Sequence, residues 1–400
     1  MENNKIDVLI VGGGMISREV VLPTVFQEQK YGRVGNVSIS SLSGDIITDL
    51  SKTFPPFKGY PDPVVYGLTD KYPDMFKDAI RELPENGAVI VATPDHLHTP
   101  VIMAAIEAGK HVVVEKPLCL KVSEAREIIK KADERGIYVM TDYHKRHDRS
   151  VRAARYRFRR GHLGEMLHGH AWIEEPKYMA LEVFKDWCEK SSPFEYIGVH
   201  YADAYYFITG LRPKRLVSFG QKKFLPTRGK NAYDSVQATI EWEDGSVFFI
   251  QTSWVNNEKN SSMTNQGMML LGTEGEYWAD HKDRNTHFVT DEKGYEDYNP
   301  NFFKQYDSWD FPGEEDNVGY GYDSIVQGIN DIRRINTAAA AMGKDKALET
   351  RKKMIAEMEA TRALPKQALI GVAINNAVRM SADAGGRFVV FDEDLNVSFE

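Results

Sequence analysis

The first 145 residues alternate between short apolar runs and segments with helical spacing, and this alternation restricts the fold more than any other feature. The apolar runs are rich in Val and Ile, as are strands buried on both faces, and they cover 6–11, 36–42, 87–94 and 111–117. Between them, "TPVIMAAIEAG" and "VSEAREIIKKADERG" carry apolar residues at helical spacing and stop at Gly109 and Gly136. The alternation predicts an α/β fold with a parallel, doubly wound sheet.

A glycine-rich turn follows the first predicted strand directly. In "GGGMIS" (12–17), Gly12, Gly14 and Ser17 occupy the three small positions of a dinucleotide-binding turn, with Met15 and Ile16 between them. Gly12 permits the tight turn, Gly14 lets the backbone approach a pyrophosphate, and Ser17 lets the next helix lie close to the strand. The turn predicts a dinucleotide cofactor, and a purely structural glycine turn is the alternative.

The end of the second predicted strand leaves the cofactor's identity open. An acidic residue at this place would bind the adenine ribose of NAD, but Ser41 and Ser43 stand there. Their hydroxyls suit a free ribose or a 2′-phosphate, and no neighbouring arginine in the sequence would clamp the phosphate. Either NAD or NADP is therefore predicted.

Two further segments lie at the carboxyl ends of predicted strands, where open α/β sheets bind their ligands. "ATPDHLHTP" brings Thr93, Pro94 and His98 to this edge, and "EKP" brings Glu115 and Lys116. We expect these residues to contribute to the cofactor site. A surface lysine paired with a neighbouring acid is the alternative for Lys116.

The second half of the chain has antiparallel signals. "SVQATIEWEDGSVFFIQTSWV" and "GMMLLGTEGEYWAD" alternate on both sides of a glycine-containing turn and predict hairpins. Helices are predicted in "DRSVRAARYRFRRG", "EYIGVHYADAYYFITG", "DSIVQGINDIRRI" and "PKQALIGVAINNAVRMSADAGG", and 285–322 is expected to be irregular. We therefore expect two domains, 1–145 and 146–400.

Composition narrows the partners and the compartment. Fifty basic against 58 acidic residues give a net charge of −8, without a basic tract, so nucleic acid and anionic membranes are not expected partners. The two cysteines, Cys119 and Cys188, predict reduced thiols, and the absence of a long apolar run favours the cytoplasm. Neighbouring histidines such as His168 and His170 lack a third ligand at a recognisable spacing, so no metal site is expected.

The motifs together resemble the glucose-fructose oxidoreductase, inositol dehydrogenase and rhizopine-catabolism (Gfo/Idh/MocA) family. The similarity rests on "VGGGMIS", "TPDHLH", "EKPLCL", "GHLGEMLHGHAWIEE", "GVHYADAYYFITG" and "GTEGEYWAD", in family order along nearly the whole chain. It implies an N-terminal Rossmann domain, a C-terminal α+β domain with a large, mostly antiparallel sheet, and hydride transfer without a metal. It also implies that Lys116 orients a substrate hydroxyl, that His200 acts as acid or base, and that His98 lies near the nicotinamide.

The stretch "FEYIGVHYAD" (194–203) departs from the family pattern. Tyr196 stands four residues before His200, where the resembled family usually has an aspartate. A tyrosine can donate a hydrogen bond to a substrate oxygen, but it does not raise the basicity of His200 as a carboxylate would. On an α-helix, Tyr196, His200 and Asp203 would share one face. Asp203 could instead support the helix, and His200 could be a core histidine.

Two more residues, Arg146 and Trp187, are candidates for the substrate cleft, each with a structural role as the alternative. The expected substrate is a small carbohydrate or polyol.

Three functions stay open. The first is an NAD(P)-dependent dehydrogenase acting on a secondary hydroxyl or ketone of a sugar, cyclitol or glycoside. The second is an NAD-dependent glycosidase or lyase that works by transient oxidation and elimination, and Tyr196 keeps it open. The third is a nucleotide-binding sensor without turnover. A homodimer or homotetramer is expected, because large antiparallel sheet faces often form symmetric interfaces.

Overall fold

A computed structural model describes residues 5–260 and 262–400, and the chain forms two compact units. The first unit contains the chain up to Cys119, Ser123–His144 and Phe303–Ala368. The second contains Leu120–Val122, Lys145–Phe302 and Leu369–Glu400. Both units are discontinuous in sequence. The domains predicted from the sequence, 1–145 and 146–400, are continuous, and their bounds stay a prediction.

The first unit is built on six strands and five helices from the N-terminal part of the chain. The strands are β1 (Ile6–Val11), β2 (Val34–Ser40), β3 (Lys58–Tyr60), β4 (Ala88–Val91), β5 (His111–Glu115) and β6 (Val139–Asp142). The helices are α1 (Leu22–Lys30), α2 (Gly44–Leu50), α3 (Met75–Glu82), α4 (His98–Glu107) and α5 (Val122–Arg135).

These strands form one parallel sheet in the order β3-β2-β1-β4-β5-β6. All residues of β4 and β5 are buried, as expected for strands covered by helices on both faces. The order reverses between β1 and β4, and this is where a doubly wound sheet binds ligands. The predicted Rossmann sheet is confirmed.

The second unit begins with α6 (Arg149–Phe158), β7 (Met166–Pro176) and α7 (Val199–Thr209). It continues with the strands β8 (Pro213–Gln221), β9 (Ser235–Trp242), β10 (Val247–Asn256), β11 (Asn265–Gly272), β12 (Glu276–Asp280), β13 (His287–Thr290) and β14 (Gly294–Asp297). α7 ends at Gly210, whose φ of +79° is the left-handed conformation that the predicted stop requires.

The segment from residue 303 onwards returns to the first unit. It forms β15 (Lys304–Asp307), β16 (Glu315–Val318), α8 (Tyr320–Ala341) and α9 (Lys344–Met358). The pairs β13–β14 and β15–β16 are antiparallel hairpins, so the prediction that 285–322 is irregular was wrong. All four residues of β13 are exposed, and such a hairpin lacks the alternation of buried and polar residues that identifies a strand in sequence.

The chain closes with α10 (Pro365–Asp383), β17 (Val389–Phe391) and β18 (Val397–Phe399). The large sheet of the second unit has the order β12-β11-β7-β10-β9-β8-β17-β18. Its pairs are antiparallel except β7–β10, which is parallel. The predicted, mostly antiparallel sheet and both predicted hairpins, β9–β10 and β11–β12, are confirmed.

Helix α8 packs closely on the first sheet. A Cβ on Gly328 would lie 2.6 Å from a side-chain carbon of Val113 and 3.1 Å from one of Met140, so only glycine lets the helix approach β5 and β6 this closely. Asp331 is fully buried, accepts a hydrogen bond from the Tyr138 hydroxyl at 3.0 Å, and pairs with Arg362 at 2.6 Å. These contacts explain why 303–368 belongs to the first unit.

Both cysteines lie within the described residues, are buried, and are not joined by a disulfide bond. Among residues 5–260 and 262–400, no helix combines the length and the apolar character needed to cross a membrane.

Candidate functional site

The glycine turn after β1 fits a dinucleotide. Gly12 has a φ of +119°, and a Cβ there would lie 2.2 Å from the backbone oxygen of Ala92, so the turn requires glycine. Gly14 is exposed, and a Cβ on it would meet no described atom within 4 Å. The backbone at Gly14 is therefore open to a ligand, as the approach of a pyrophosphate requires.

The helix after this turn is held against the strand. The Ser17 hydroxyl donates to the Gly12 oxygen at 2.8 Å, which accounts for the small, buried residue at this position. Met15 and Ile16 are half-buried at the start of the helix, and Ser17–Val21 form a π-helical turn that leads into α1.

The first turn of α2, which follows β2, contains an acid that the sequence analysis missed. The Ser43 hydroxyl donates to Asp45 at 2.5 Å, and the Ile46 N–H donates to the same carboxylate oxygen at 2.8 Å. These hydrogen bonds lower the pKa of Asp45, whose side chain stays exposed. Ser41 is half-buried beside the glycine turn, since its Oγ would lie 3.0 Å from a Cβ on Gly13. The end of β2 and the start of α2 thus offer two hydroxyls and one ionised carboxylate.

An arginine also lies at this edge. Arg18 donates from Nε to the Gly13 oxygen at 3.1 Å and pairs through Nη1 with Asp49 at 2.7 Å. Its guanidinium thereby joins the π-helical turn after β1 to α2, which carries Asp49. No pattern in the sequence identifies this contact, because Arg18 and Asp49 are far apart along the chain.

His98 connects the loop after β4 to the turn after β5. It is fully buried, with Nδ1 2.7 Å from the Pro117 oxygen and Nε2 2.9 Å from the Thr93 oxygen. Burial lowers the pKa of His98 to about 4, and the two carbonyl contacts oppose this shift. Thr93 and Pro94 are half-buried. His98 therefore holds the backbone around Lys116 through Pro117.

Glu115 and Lys116 lie at the carboxyl end of β5, and both are buried. The Lys116–Pro117 peptide bond is cis. Burial raises the pKa of Glu115 well above its usual range, the Asp142 carboxyl raises it further, and Lys116 opposes the shift. Asp142, at the end of β6, is a second acid that the sequence analysis missed.

In the second unit, α7 carries His200 and Asp203, and both are buried. Asp203 accepts two hydrogen bonds from Arg146, at 2.8 Å from Nε and 2.6 Å from Nη2, and both side chains are 3% exposed. Burial raises the pKa of Asp203, and the guanidinium opposes this shift. The structure thus brings the two predicted substrate residues, Arg146 and Asp203, together as a buried ion pair one turn after His200.

Tyr196 lies before α7 in a π-helical turn, Phe194–Gly198, so the regular α-helical spacing assumed for "FEYIGVHYAD" does not apply there. Its ring centroid lies 5.3 Å from that of Trp187 and 4.7 Å from that of Phe184. Tyr196 and Trp187 are half-buried in one aromatic cluster that includes Trp254. The structure therefore brings together the two aromatic residues predicted to contact substrate.

A buried polar network begins at Lys145, next to Arg146 in sequence. The Lys145 ammonium donates to Gln266 at 2.5 Å and lies 4.7 Å from the ring centroid of Tyr201. The Tyr201 hydroxyl and His281 Nδ1 are 2.9 Å apart. Burial lowers the pKa of Lys145 to about 7. The sequence analysis missed this network, because its members come together only through the tertiary fold.

In the part of the chain that the structure describes, no cluster of three or more histidine, cysteine, aspartate or glutamate residues could hold a metal ion.

Comparison with known proteins decides the family. A family profile described as "Oxidoreductase family, NAD-binding Rossmann fold" matches residues 6–143, and one described as "GFO/IDH/MocA C-terminal domain" matches 151–278. The chain belongs to the Gfo/Idh/MocA oxidoreductase family. Its N-terminal part is the NAD-binding Rossmann domain of that family, and the open backbone at Gly14 lies within it.

Curated relatives in this family are similar over part of their length. A 1,5-anhydro-D-fructose reductase of Ensifer adhaerens is 27% identical over 195 residues, which cover 48% of this chain and 56% of the relative. A 2,7-anhydro-N-acetylneuraminate hydratase of Mediterraneibacter gnavus is 26% identical over 186 residues, covering 43% and 48%. The chain thus spans about half the length of these relatives.

Solved structures extend the similarity to the whole fold. An inositol dehydrogenase homologue from Azotobacter vinelandii, in complex with NADH and myo-inositol, superposes with a TM-score of 0.70. The match covers 97% of this chain and 98% of that one at 20% identity. At this identity, the similarity shows a shared fold.

Proposed function

We propose that the protein is an NAD-dependent dehydrogenase acting on a secondary hydroxyl of a sugar, cyclitol or glycoside. The observation that carries the proposal is the glycine turn of a family NAD-binding domain, with the backbone at Gly14 open to a pyrophosphate. Curated relatives named as a reductase of an anhydro sugar and a D-glucoside 3-dehydrogenase support the substrate class.

The residue roles follow from the chemistry of alcohol oxidation. When bound, NAD supplies a hydride acceptor for the carbon that carries the hydroxyl. We propose that the Lys116 ammonium donates a hydrogen bond to that hydroxyl oxygen and stabilises the negative charge that develops on it. His200, in its neutral form, accepts the hydroxyl proton. Tyr196 and Trp187 would contact the sugar ring, since carbohydrate sites combine an aromatic face with a few polar groups.

We propose NAD as the preferred cofactor over NADP. The exposed carboxylate of Asp45 can accept hydrogen bonds from ribose hydroxyls, whereas a 2′-phosphate would meet a like charge there. Arg18 is already paired with Asp49, which compensates its charge. The variant Asp45→Asn should raise the ratio of kcat/KM with NADP to kcat/KM with NAD, and an unchanged ratio would contradict the role of Asp45.

The test of the reaction is a panel of sugars, cyclitols and glycosides, each supplied with NAD or NADP and followed by NADH or NADPH absorbance. His200→Ala should lower kcat by about 10²–10⁴-fold, the usual contribution of a general base. Lys116→Ala should lower it by about 10²–10³-fold, while NAD affinity stays near that of the wild type. Lys130→Ala, which removes an exposed lysine of α5, is the control. Full turnover in both site variants would contradict the proposed roles.

A second candidate is a redox-neutral elimination or hydration in which NAD is reduced and then reoxidised within each cycle. A relative named 2,7-anhydro-N-acetylneuraminate hydratase favours it, and so does a tyrosine at position 196. Product formation without net NADH would support this reaction. Accumulation of NADH together with a ketone would support the dehydrogenase.

We also propose that two copies of the chain associate through the open face of the large sheet. Phe249, His170, Met269 and Trp278 lie in register across four neighbouring strands, and each is half-buried or exposed. Trp278 is 61% exposed, and a row of aromatic and apolar side chains on a sheet face is typical of an interface. Light scattering should give a dimer or tetramer for the wild type, and Phe249→Glu should shift it towards the monomer.

A further inference from the structure

Two carboxyl groups lie side by side at the carboxyl ends of β5 and β6. Glu115 and Asp142 are register partners in these parallel strands, so their side chains leave the sheet on the same face, with the strands about 4.8 Å apart. Both are buried, at 8% and 3% exposed. Two ionised carboxylates so close in a buried place repel each other, and such a pair keeps one proton over a wide pH range.

The surroundings of the pair do not neutralise two negative charges. The largest charge effects on Glu115 come from Asp142 and Asp95, which disfavour its ionisation, and from Lys116, which favours it. On Asp142, the Ser324 hydroxyl of α8 and the Lys116 ammonium both favour ionisation. Among the described residues, Asp142 Oδ1 is buried without a hydrogen-bond partner.

Burial dominates the ionisation of both acids. It raises the pKa of Glu115 well above its usual range and that of Asp142 to about 7. His144, two residues after Asp142, has its ring against Tyr320 at a centroid distance of 5.5 Å. The groups that act on the pair are thus one lysine, one further acid and one hydroxyl.

We propose that Glu115 and Asp142 share one proton near neutral pH and that Asp142 is a positioning residue which controls how far the Lys116 ammonium is available to substrate. This inference rests on the proposed role of Lys116. With one shared proton, the pair carries a single negative charge, and Lys116 balances it. When the proton is lost, the doubly charged pair draws the ammonium towards itself and away from the substrate hydroxyl.

The first test is the pH profile of kcat. In the wild type, turnover should fall on the alkaline side as the pair loses its last proton, above the pKa of about 7 that burial gives Asp142. Asp142→Asn cannot ionise, so this alkaline limb should disappear. Ser324→Ala removes a hydroxyl that favours the ionisation of Asp142, so the limb should move to higher pH. Asp133→Asn, which removes an exposed carboxylate of α5, should keep the wild-type profile.

The second test needs no substrate. An acid with a raised pKa in the folded state holds a proton that the unfolded chain has lost, so stability falls as pH rises from about 4 to 7. The Tm of the wild type should therefore fall more over this range than the Tm of Asp142→Asn. Equal pH dependence of Tm in these two proteins would overturn the shared proton, whether or not the enzyme has found its substrate.

The two measurements separate this inference from the proposed function. A difference in Tm together with an unmoved alkaline limb in Asp142→Asn would overturn the control of Lys116. Loss of the limb in Asp142→Asn, with the Ser324→Ala shift to higher pH, would support it. If Asp142→Asn does not fold, the direction of the Ser324→Ala shift decides the question alone, and a shift to lower pH or no shift overturns the proposal.

Discussion

Breaking the ion pair between Arg146 and Asp203 should destabilise the second unit strongly. Both side chains are 3% exposed, and two hydrogen bonds of 2.8 and 2.6 Å join them. In Asp203→Ala, the guanidinium of Arg146 stays buried without its counter-charge, and we expect a loss of about 3–5 kcal/mol in the free energy of unfolding. The double variant Arg146→Met/Asp203→Leu removes both charges and should lose much less than Asp203→Ala.

Urea unfolding followed by tryptophan fluorescence measures this effect well, because five of the six tryptophans lie in the second unit. The control is Glu296→Ala, which breaks the more exposed pair with Lys293 and should cost less than about 1 kcal/mol. A loss below about 1 kcal/mol in Asp203→Ala, or a double variant less stable than the single one, would refute the reasoning from buried charge.

Three further predictions concern single residues. Gly12→Ala should lower the Tm, since its methyl group would lie 2.2 Å from the Ala92 oxygen at a φ of +119°. Gly14→Ala should fold normally, because its methyl group meets no described atom within 4 Å, but calorimetry should show weaker NAD binding than the wild type. Burial lowers the pKa of Lys145 to about 7, so the unfolded chain binds one more proton between about pH 7 and 10.4, and stability should rise with pH there. Lys145→Met should lose this rise in thermal scans.

The features that the sequence predicted correctly depend on local patterns. The Val- and Ile-rich runs identify buried strands. The hairpin β9–β10 follows from the alternation of apolar and polar residues on both sides of Asp244 and Gly245, and Gly245 has a φ of +85°. The glycine turn was also predictable, because Gly12 is required by its backbone conformation and by its close approach to the next strand. In each case, a few neighbouring residues determine the structure.

The features that the sequence did not predict depend on contacts between distant segments. Residues 303–368 pack on the first sheet through Gly328 and Asp331. The spacing of apolar residues predicts a helix there, but it does not predict which surface the apolar face of that helix will contact. Asp142 lies beside Glu115 because of the register of β6 with β5. Lys145 belongs to a buried polar network because it donates to Gln266, which is distant in sequence. The π-helical turn at Phe194–Gly198 changes the position of Tyr196 relative to α7, and spacing rules for α-helices do not anticipate it.

The central claim, net oxidation of a carbohydrate hydroxyl by NAD, is tested most directly by stoichiometry. The substrate that gives the fastest turnover in the panel is incubated with excess NAD, and NADH and ketone are both quantified. We predict one NADH for each ketone, with turnover lost in His200→Ala. Conversion of the substrate with no accumulated NADH would contradict the dehydrogenase and would favour the redox-neutral reaction.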